Sequence, residues 1–206
     1  MTRGMERLTI AVGSYEVNCS ILSKEGKAYI VDPGQEGERI IGLLAKKGLE
    51  PAAILLTHAH FDHITGIAAL QKAFPELPVY VHSADRKMFG HPFNQMPSEY
   101  ASIGTPANLR EADDISLELP ELKVLHTPGH TPGGICYYLS EDKLLLSGDT
   151  LFARSIGRTD FPGGSMPEML ASLKKLMELP RDTIVIPGHG MFTTIGDEQD
   201  GNPYVM

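Results

Sequence analysis

One short run, residues 57–63, constrains the fold and the function of this chain more than any other stretch. It carries four potential metal ligands: His58, His60, Asp62 and His63. The apolar block 52–56 before it predicts a buried strand, and apolar side chains at helical spacing predict a helix over 64–74. The ligands therefore stand where a strand ends and a helix begins, which is where open α/β sheets place their sites. An exposed polar turn is the alternative, but this density of ligand types favours a metal site.

The spacing of these ligands predicts that they serve two adjacent metals. In an extended segment alternate side chains share a face, so His58, His60 and Asp62 point the same way. The start of the helix turns His63 aside. His58 and His60 can then bind one ion, while Asp62 and His63 bind the other.

Length and charge narrow the class of protein. The 206 residues suit one domain, 1–206, with a core large enough for two sheets. The 18 basic and 26 acidic residues give a net charge of −8, which argues against general binding to nucleic acid or to anionic membranes. Cys19 and Cys136 lie in apolar, strand-like sequence, which favours reduced thiols and a cytoplasmic location, although a disulfide stays open. The sequence shows no signal-peptide core and no apolar run that could span a bilayer.

Hydrophobic patterning predicts strands and helices along the rest of the chain. Strands are predicted at 8–12, 18–23, 27–31, 79–82, 115–119, 122–125 and 183–186, and a hairpin at 135–139 and 143–147. Helices are predicted over 40–48 and after the capping box formed by Ser165 and Glu168. Residues 83–114 lack periodicity and are interpreted as a lid or binding loop, and residues 151–164 as a loop over the site.

Three later segments carry further potential ligands. His130 lies in a loop whose prolines and glycines hold a fixed, non-helical path suited to presenting a side chain. Asp149 and His189 each follow an apolar strand, although Asp149 taken alone would fit a helix cap or a turn equally well. Four other polar residues are interpreted as structural or surface residues rather than ligands: Asp32, His82, His91 and His126.

The chemistry of the selected residues predicts a pair of metal ions. Imidazole and carboxylate without thiolate suit Zn²⁺ first, with Fe or Mn as alternatives. Seven ligands are too many for one tetrahedral ion, but they fit two ions that share a bridging carboxylate. The predicted sets are His58, His60 and His130 on the first ion, Asp62, His63 and His189 on the second, and Asp149 between them. Two ions about 3.5–4 Å apart can hold a bridging hydroxide and polarise a carbonyl at the same time.

The order of these motifs resembles the metallo-β-lactamase superfamily. The resemblance rests on the His-x-His-x-Asp-His run and the later His130, Asp149 and His189, and it covers nearly the whole chain. The loop sequences and the Asn-Pro-Tyr ending are similar to the glyoxalase II (hydroxyacylglutathione hydrolase) branch. This resemblance implies an α/β fold, an αββα sandwich of two mixed β-sheets flanked by helices, with the metals at one edge. It also implies hydrolysis of a small-molecule thioester such as S-lactoylglutathione by a metal-bridging hydroxide that Asp62 orients.

Two departures from the glyoxalase II pattern bear on the substrate. In that branch a lysine after the bridging aspartate contacts the glutathione carboxylate, and a tyrosine follows two positions later. Arg158 stands at the lysine position and could keep this substrate contact, because a planar guanidinium suits a carboxylate. Asp160 stands at the tyrosine position, where its carboxylate would repel the same anion unless it is paired. The sequence also ends without the C-terminal helical domain of the long-form enzymes, as in the single-domain glyoxalase II-like hydrolases.

Other activities fit the same ligands. A persulfide dioxygenase would use one Fe(II) bound by His58, His130 and Asp149. That family shares the Gly-Arg-Thr-Asp-Phe sequence, which includes Arg158. The Pro-Gly-Gly sequence at 162–164 resembles the glyoxalase II-like hydrolases rather than the persulfide dioxygenases. A lactonase is a third candidate, whereas a nuclease or a non-catalytic binding module is disfavoured. The oligomeric state is left open.

Overall fold

Two large β-sheets form the centre of the fold in a computed structural model that describes residues 4–95 and 104–205. The first sheet has six strands in sequential order: β1 (Glu6–Val12), β2 (Val17–Lys24), β3 (Lys27–Val31), β4 (Glu50–Leu55), β5 (Val79–Val81) and β6 (Leu109–Glu111). Its first three strands are antiparallel, and β3 to β6 run parallel. The parallel half brings the carboxyl ends of β4 and β5 to the same edge, where the histidine-rich run begins.

The second sheet has five strands, β7 (Leu122–His126), β8 (Ile135–Leu139), β9 (Leu144–Gly148), β12 (Ile184–Pro187) and β13 (Thr193–Thr194). Their order is β13-β12-β9-β8-β7, and β9 and β12 are its parallel pair. A two-stranded ribbon, β10 (Leu151–Phe152) and β11 (Ser155–Ile156), follows β9. The parallel pair β9 and β12 therefore delivers the residues that follow each strand to one edge of this sheet.

In the described part of the chain, five α-helices cover the outer faces: α1 (Gly37–Lys47), α2 (Phe61–Ile64), α3 (Ile67–Ala73), α4 (Met166–Leu176) and α5 (Ile195–Gly201). Alternation along each strand sorts side chains into layers, because neighbouring residues face opposite sides of a sheet. On β3, Ile30 packs towards the helices α1 and α3, whereas Val31 packs between the sheets. On β8, Tyr137 joins the layer between the sheets and Cys136 packs towards α4 and α5. The layers are thus helix, sheet, sheet, helix, which confirms the expected αββα sandwich.

The predicted strand at 115–119 is wrong, because residues 112–117 form a 3₁₀ helix, Ala112–Leu117. Ile115, Leu117 and Leu119 alternate as a strand would, but Leu117 is 82% exposed while Ile115 and Leu119 are buried. Residues four apart share a face in a helical turn, and here that turn points Ile115 and Leu119 into the core. The other predicted strands and the predicted hairpin are present with ends shifted by one or two residues.

The helix predicted over 64–74 is interrupted. It is divided into α2 and α3, and the break falls at Gly66, whose N–H donates to the carbonyls of Pro33 (2.8 Å) and Gly34 (2.9 Å). A Cβ at Gly66 would come 2.7 Å from the Pro33 carbonyl oxygen, so only glycine allows this close approach. The break lets the turn after β3 pack against the ligand-bearing run.

The segment predicted to be irregular, 83–114, contains short regular pieces. Two 3₁₀ helices, Ser83–Met88 and Pro92–Gln95, precede the edge strand β6 and the Ala112–Leu117 helix. The strand β6 has only three residues, which is too short for an alternation to show in the sequence. Residues 96–103, including Met96, Pro97 and Tyr100 of the predicted lid, lie outside the described residues.

Cys19 and Cys136 are free and buried, in agreement with the prediction of reduced thiols. The tail after β12 is ordered as β13 and α5. Among the described residues, the helices are all too short or too polar to cross a bilayer.

Candidate metal centre

All seven predicted ligands lie at ends of strands along one edge of the sandwich. The run 58–63 follows β4 of the first sheet. His130, Asp149 and His189 follow β7, β9 and β12 of the second sheet. Both sheets therefore contribute to one site, as the strand-end positions in the sequence predict.

The seven side chains converge into two groups joined by Asp149. The candidate ligand atoms of His58, His60 and His130 lie within 4.8 Å of one another, and so do those of Asp62, His63 and His189. Asp149 Oδ2 is 3.5 Å from His130 Nε2 and 3.7 Å from His189 Nε2. Asp149 Oδ1 is 3.5 Å from His63 Nε2. Asp149 is thus in contact with both groups, at the position that a bridging carboxylate would need.

Outer hydrogen bonds fix the protons of His58 and His63. The Thr57 hydroxyl donates to Asp32 Oδ2 at 2.6 Å, so it can only accept from His58 Nδ1–H, 3.1 Å away. His63 Nδ1 lies 3.0 Å from Asp32 Oδ2, which accepts its proton. Both rings therefore hold a proton on Nδ1 and turn Nε2, the nitrogen that can act as a metal ligand, towards the cluster.

Backbone carbonyls fix the protons of His130 and His189 in the same way. His130 Nδ1 donates to the Arg158 carbonyl at 2.7 Å, and His189 Nδ1 donates to the Tyr15 carbonyl at 2.8 Å. A carbonyl oxygen can only accept, so Nε2 of each ring presents a lone pair to the cluster. Nε2 of four imidazoles thus faces the cluster, and His63 Nε2 and His189 Nε2 lie within hydrogen-bond distance of each other, at 3.3 Å.

Unpaired buried atoms show that this cluster fits a cation. His58 Nε2 and Asp149 Oδ1 are buried and have no hydrogen-bond partner. Leaving a buried polar atom unpaired costs about 1–3 kcal/mol, so a group that accepts their lone pairs stabilises the site. The described donors are imidazoles and carboxylates, which suit divalent ions such as Zn²⁺, Fe²⁺ or Mn²⁺.

The carboxylates set the charge of the cluster. Burial alone would lower the pKa of His63, but the carboxylates of Asp62, Asp149 and Asp32 outweigh burial and raise this pKa to about 10. Without a cation, His63 Nε2 therefore also carries a proton at neutral pH, and a bound metal ion would replace that proton. Burial would raise the pKa of Asp62, but the imidazoles of His63 and His189 lower it below its usual range. Burial, reinforced by His130, lowers the pKa of His60 to about 3. Asp62 is therefore a carboxylate at neutral pH, which favours bound cations.

Two glycines make room for Asp149. A Cβ at Gly188 would overlap Asp149 Oδ1, and a Cβ at Gly157 would overlap the Asp149 carbonyl. The backbone of the neighbouring loops thus packs directly against the carboxylate that joins the two groups.

A cleft of about 630 Å³ opens beside the cluster. Its walls are mainly aromatic, with Tyr15, Phe61, Phe93, Phe152 and Phe161 among the lining residues. Phe93 packs against His60 and Phe161, at centroid distances of 5.1 and 4.8 Å. Such a cleft suits a ligand with apolar surface that must reach the metal ligands at its floor.

Arg158, the predicted substrate contact, lines this cleft but is paired. Its guanidinium binds Asp160 through two hydrogen bonds, Nε to Oδ1 at 2.9 Å and Nη2 to Oδ2 at 2.7 Å. It also stacks over Phe161, 4.2 Å from the ring centroid. Both charged side chains are more than 60% exposed, so solvent weakens the pair and a substrate carboxylate can compete for the arginine.

The structure shows what the four polar residues interpreted as structural or surface residues contact. Asp32 forms a turn, with φ of 48°, as predicted, but its buried carboxylate also holds His63. His126 supports the His130 loop, since its Nε2 lies 3.0 Å from the Pro132 carbonyl, and His82 stacks on it at 4.3 Å. His91 is partly buried rather than at the surface, and its Nδ1 accepts from Phe93 N.

The roles of Asp32 and of the cleft aromatics were missed. A lone aspartate in a Pro-Gly turn carries no sign of a second function, and Tyr15 and Phe93 lie far along the chain from the ligand-bearing run. Proximity in the fold, rather than spacing in the sequence, is what reveals them.

An αββα sandwich with a histidine and aspartate cluster at the edge between its sheets is typical of a class of metal-binding proteins, most of which are hydrolases. The chain belongs to the metallo-beta-lactamase superfamily, whose family model matches residues 12–189. Hydroxyacylglutathione hydrolase GloC of Haemophilus influenzae is 35% identical, over 95% of this chain and 96% of the relative.

Two solved structures are similar over almost their whole length. The B3 metallo-beta-lactamase BLEG-1 is 38% identical with a TM-score of 0.85, over 97% of this chain and 99% of that one. TTHA1623 in a di-iron-bound form is 38% identical with a TM-score of 0.87, over 96% of this chain and 99% of that one. These relatives carry different names and one is described with iron, so they support the class of site and leave the substrate and the metal open.

Proposed function

We propose that the chain is a metal-dependent thioester hydrolase that acts on a substrate such as S-lactoylglutathione. The observation that carries this proposal is the ring of inward-facing Nε2 atoms, in which four imidazoles have their Nδ1 protons held by outer hydrogen-bond acceptors. We assign two divalent ions to the seven residues of the cluster, Zn²⁺ first and Fe²⁺ or Mn²⁺ as alternatives. The residues assigned to them are His58, His60, Asp62, His63, His130, Asp149 and His189.

The residues around the ions supply orientation. When bound, a pair of divalent ions would make water nucleophilic at neutral pH and polarise the thioester carbonyl. Asp62 lines the cleft as a carboxylate, with Oδ2 3.2 Å from His189 Nε2, so it can accept a hydrogen bond from the attacking water and aim its lone pair at the substrate. A thiolate leaves readily near neutral pH, so no dedicated proton donor is required.

The shape and the lining of the cleft support a thioester substrate whose thiol half carries a negative charge. The aromatic walls suit the apolar part of an acyl thioester, and Arg158 is placed to bind a carboxylate after exchanging Asp160 for it. The similarity to GloC, a hydroxyacylglutathione hydrolase, supports glutathione as that thiol.

The experiment compares reactions on purified protein of known metal content. We expect two metal equivalents per chain and hydrolysis of S-lactoylglutathione. The loss of thioester absorbance measures this hydrolysis. Oxygen uptake with glutathione persulfide, lactone hydrolysis and, because of the similarity to BLEG-1, β-lactam hydrolysis are measured beside it. One iron per chain with oxygen uptake and no thioester cleavage would replace this proposal with a persulfide dioxygenase on His58, His130 and Asp149.

A further inference from the structure

A buried carboxylate outside the cluster connects two of its ligand-bearing loops. Asp85, in the 3₁₀ helix Ser83–Met88, is 0% exposed. Its Oδ2 accepts from the Ala59 N–H at 3.1 Å and from the Thr131 hydroxyl at 2.8 Å. Its Oδ1 accepts from the Gly133 N–H at 2.6 Å. One side chain therefore binds both the run after β4 and the loop after β7.

The positions of these partners give the contacts their significance. Ala59 lies between His58 and His60, and Thr131 follows His130 directly. These three histidines form the group with no carboxylate of its own. Asp85 bonds to the backbone or hydroxyl next to each ligand, so it can set the distance between the two loops.

A second side chain from the same segment holds the other side of the run. Asn94 is buried, and its Nδ2 donates to the carbonyls of Ala59 and Met88, each at 2.7 Å. Its Oδ1 accepts from the Phe61 N–H at 3.1 Å. The N–H and the C=O of Ala59 are thus bound by two different side chains, Asp85 and Asn94, on either side of one residue.

We propose that Asp85 is a positioning residue that holds His58 and His60 at the correct distance from His130, with Asn94 as its partner on the same backbone. This inference rests on the metal centre of the proposed function. Asp32 offers a direct parallel, because it binds His63 and so orients the other group. Asp32 acts directly on the ring of His63, and on His58 only through Thr57, whereas Asp85 acts on the backbone of the three-histidine group.

The test measures metal affinity rather than turnover. Metal is removed from the purified protein with a chelator, and Co²⁺ is titrated back while its visible absorption reports the coordination of each site. For Asp85→Asn we expect the affinity for the Co²⁺ ion bound by the three histidines to fall by about 10-fold or more, and the affinity for the other Co²⁺ ion to stay unchanged. For Asp32→Asn we expect the affinity for the ion bound with His63 to fall more than the affinity for the other, because Asp32 binds His63 directly and reaches His58 only through Thr57.

Glu198→Gln is the matched control. Glu198 is also buried and accepts three hydrogen bonds, from Arg154 N–H, the Thr193 hydroxyl and Asn202 Nδ2, but it contacts none of the ligands. This variant should lose stability without changing either Co²⁺ equivalent. A general loss of packing would therefore appear in both variants, whereas positioning would appear only in Asp85→Asn.

A milder variant covers the case in which Asp85→Asn does not fold. Thr131→Val keeps the shape of the side chain and removes one of the three hydrogen bonds, so it should weaken the same equivalent by about threefold. The inference would be overturned if Asp85→Asn bound Co²⁺ at both sites with wild-type affinity, or if it weakened both sites equally. Where Asp85→Asn does not fold, the same two outcomes in Thr131→Val would overturn it. A wild-type protein that bound no Co²⁺ would instead overturn the proposed function itself.

Discussion

At the scale of single residues, the position of a few protons decides what the cluster can bind. The Nδ1 protons of His58 and His63 are held by Thr57 and Asp32, so Nε2 is the nitrogen that each ring can offer to a metal ion. An exposed histidine populates both neutral tautomers. Here the outer hydrogen bonds place a proton on Nδ1 before any ion binds, which preorganises the rings as ligands.

Removing a ligand from either group should abolish turnover. His60→Ala removes a member of the three-histidine group, and Asp149→Ala removes the carboxylate in contact with both groups. We expect each variant to lose at least about 100-fold in kcat/KM and to retain fewer metal equivalents, measured by steady-state kinetics and elemental analysis. His91→Ala is the control and should stay within about twofold of wild type. Wild-type turnover in His60→Ala or Asp149→Ala would contradict the ligand assignment.

Arg158 should act on substrate binding rather than on the chemical step. Its guanidinium lines the cleft and is held by Asp160, so Arg158→Ala should raise KM for S-lactoylglutathione more than it lowers kcat. Asp160→Asn frees the arginine and should lower KM for the same anion. A thioester without a carboxylate is the control substrate and should respond to neither change. A fall in kcat at unchanged KM for Arg158→Ala would place the arginine in the chemistry instead.

At the scale of elements, the patterns that could be recognised from the sequence are those that repeat locally. Strand alternation and the helix start at Ser165 both depend on residues close in the chain, and most of the predicted strands and that helix appear in the structure. Ser165 accepts from the Glu168 N–H, but its own N–H donates to the Gly129 carbonyl, so one half of the predicted capping box forms. Ile115 and Leu119 show the limit of such patterns. Their spacing satisfies a strand and a helical turn equally, and the packing of the neighbouring sheets decides between them.

Contacts between distant elements could not be predicted. Gly66 interrupts a helix because Pro33, more than thirty residues earlier, approaches its backbone. Asp85 and Asn94 lie in a segment without periodicity, yet they bind the backbone of the ligand-bearing run. A side chain that acts through another residue's backbone leaves no spacing in the sequence by which to find it.

Close packing of two strand ends gives an element-scale prediction. Gly188 follows β12, and a Cβ there would overlap Asp149 Oδ1 and come 2.8 Å from His63 Cε1. Gly188→Ala should therefore displace Asp149, reduce the metal content and lower kcat/KM by at least about 10-fold. Gly42→Ala is the matched control, because Gly42 lies in α1 with no atom within 4 Å of its Cβ position.

The control should be neutral or more stable by about 0.5–1 kcal/mol, since alanine favours a helix interior. Metal analysis and urea denaturation on both variants separate an effect on the site from an effect on the fold. Full metal content in Gly188→Ala would mean that the loop can move away from Asp149 without cost to the site.

At the scale of the whole molecule, the cluster of candidate ligands lies where the two halves of the sandwich meet. Asp62 and His63 come from the run after the first sheet, whereas His130, Asp149 and His189 follow strands of the second. The apolar layer between the sheets holds the halves together over most of their area. At the edge, however, like-facing lone pairs and carboxylates replace apolar contacts, and bound cations would hold that edge together.

Removing the metals should therefore destabilise the whole fold rather than only the site. A ligand that binds only the folded state at 100 times its Kd adds about 2.7 kcal/mol to the free energy of unfolding. We expect a chelator to lower the Tm of the wild type by several degrees and added Zn²⁺ to restore it. His189→Ala, which keeps the first group intact, should show a smaller chelator-induced shift than the wild type. The measurement is thermal unfolding followed by circular dichroism, with and without chelator. An unchanged Tm for the wild type after verified removal of metal would mean that the sheets hold this edge together without the ions.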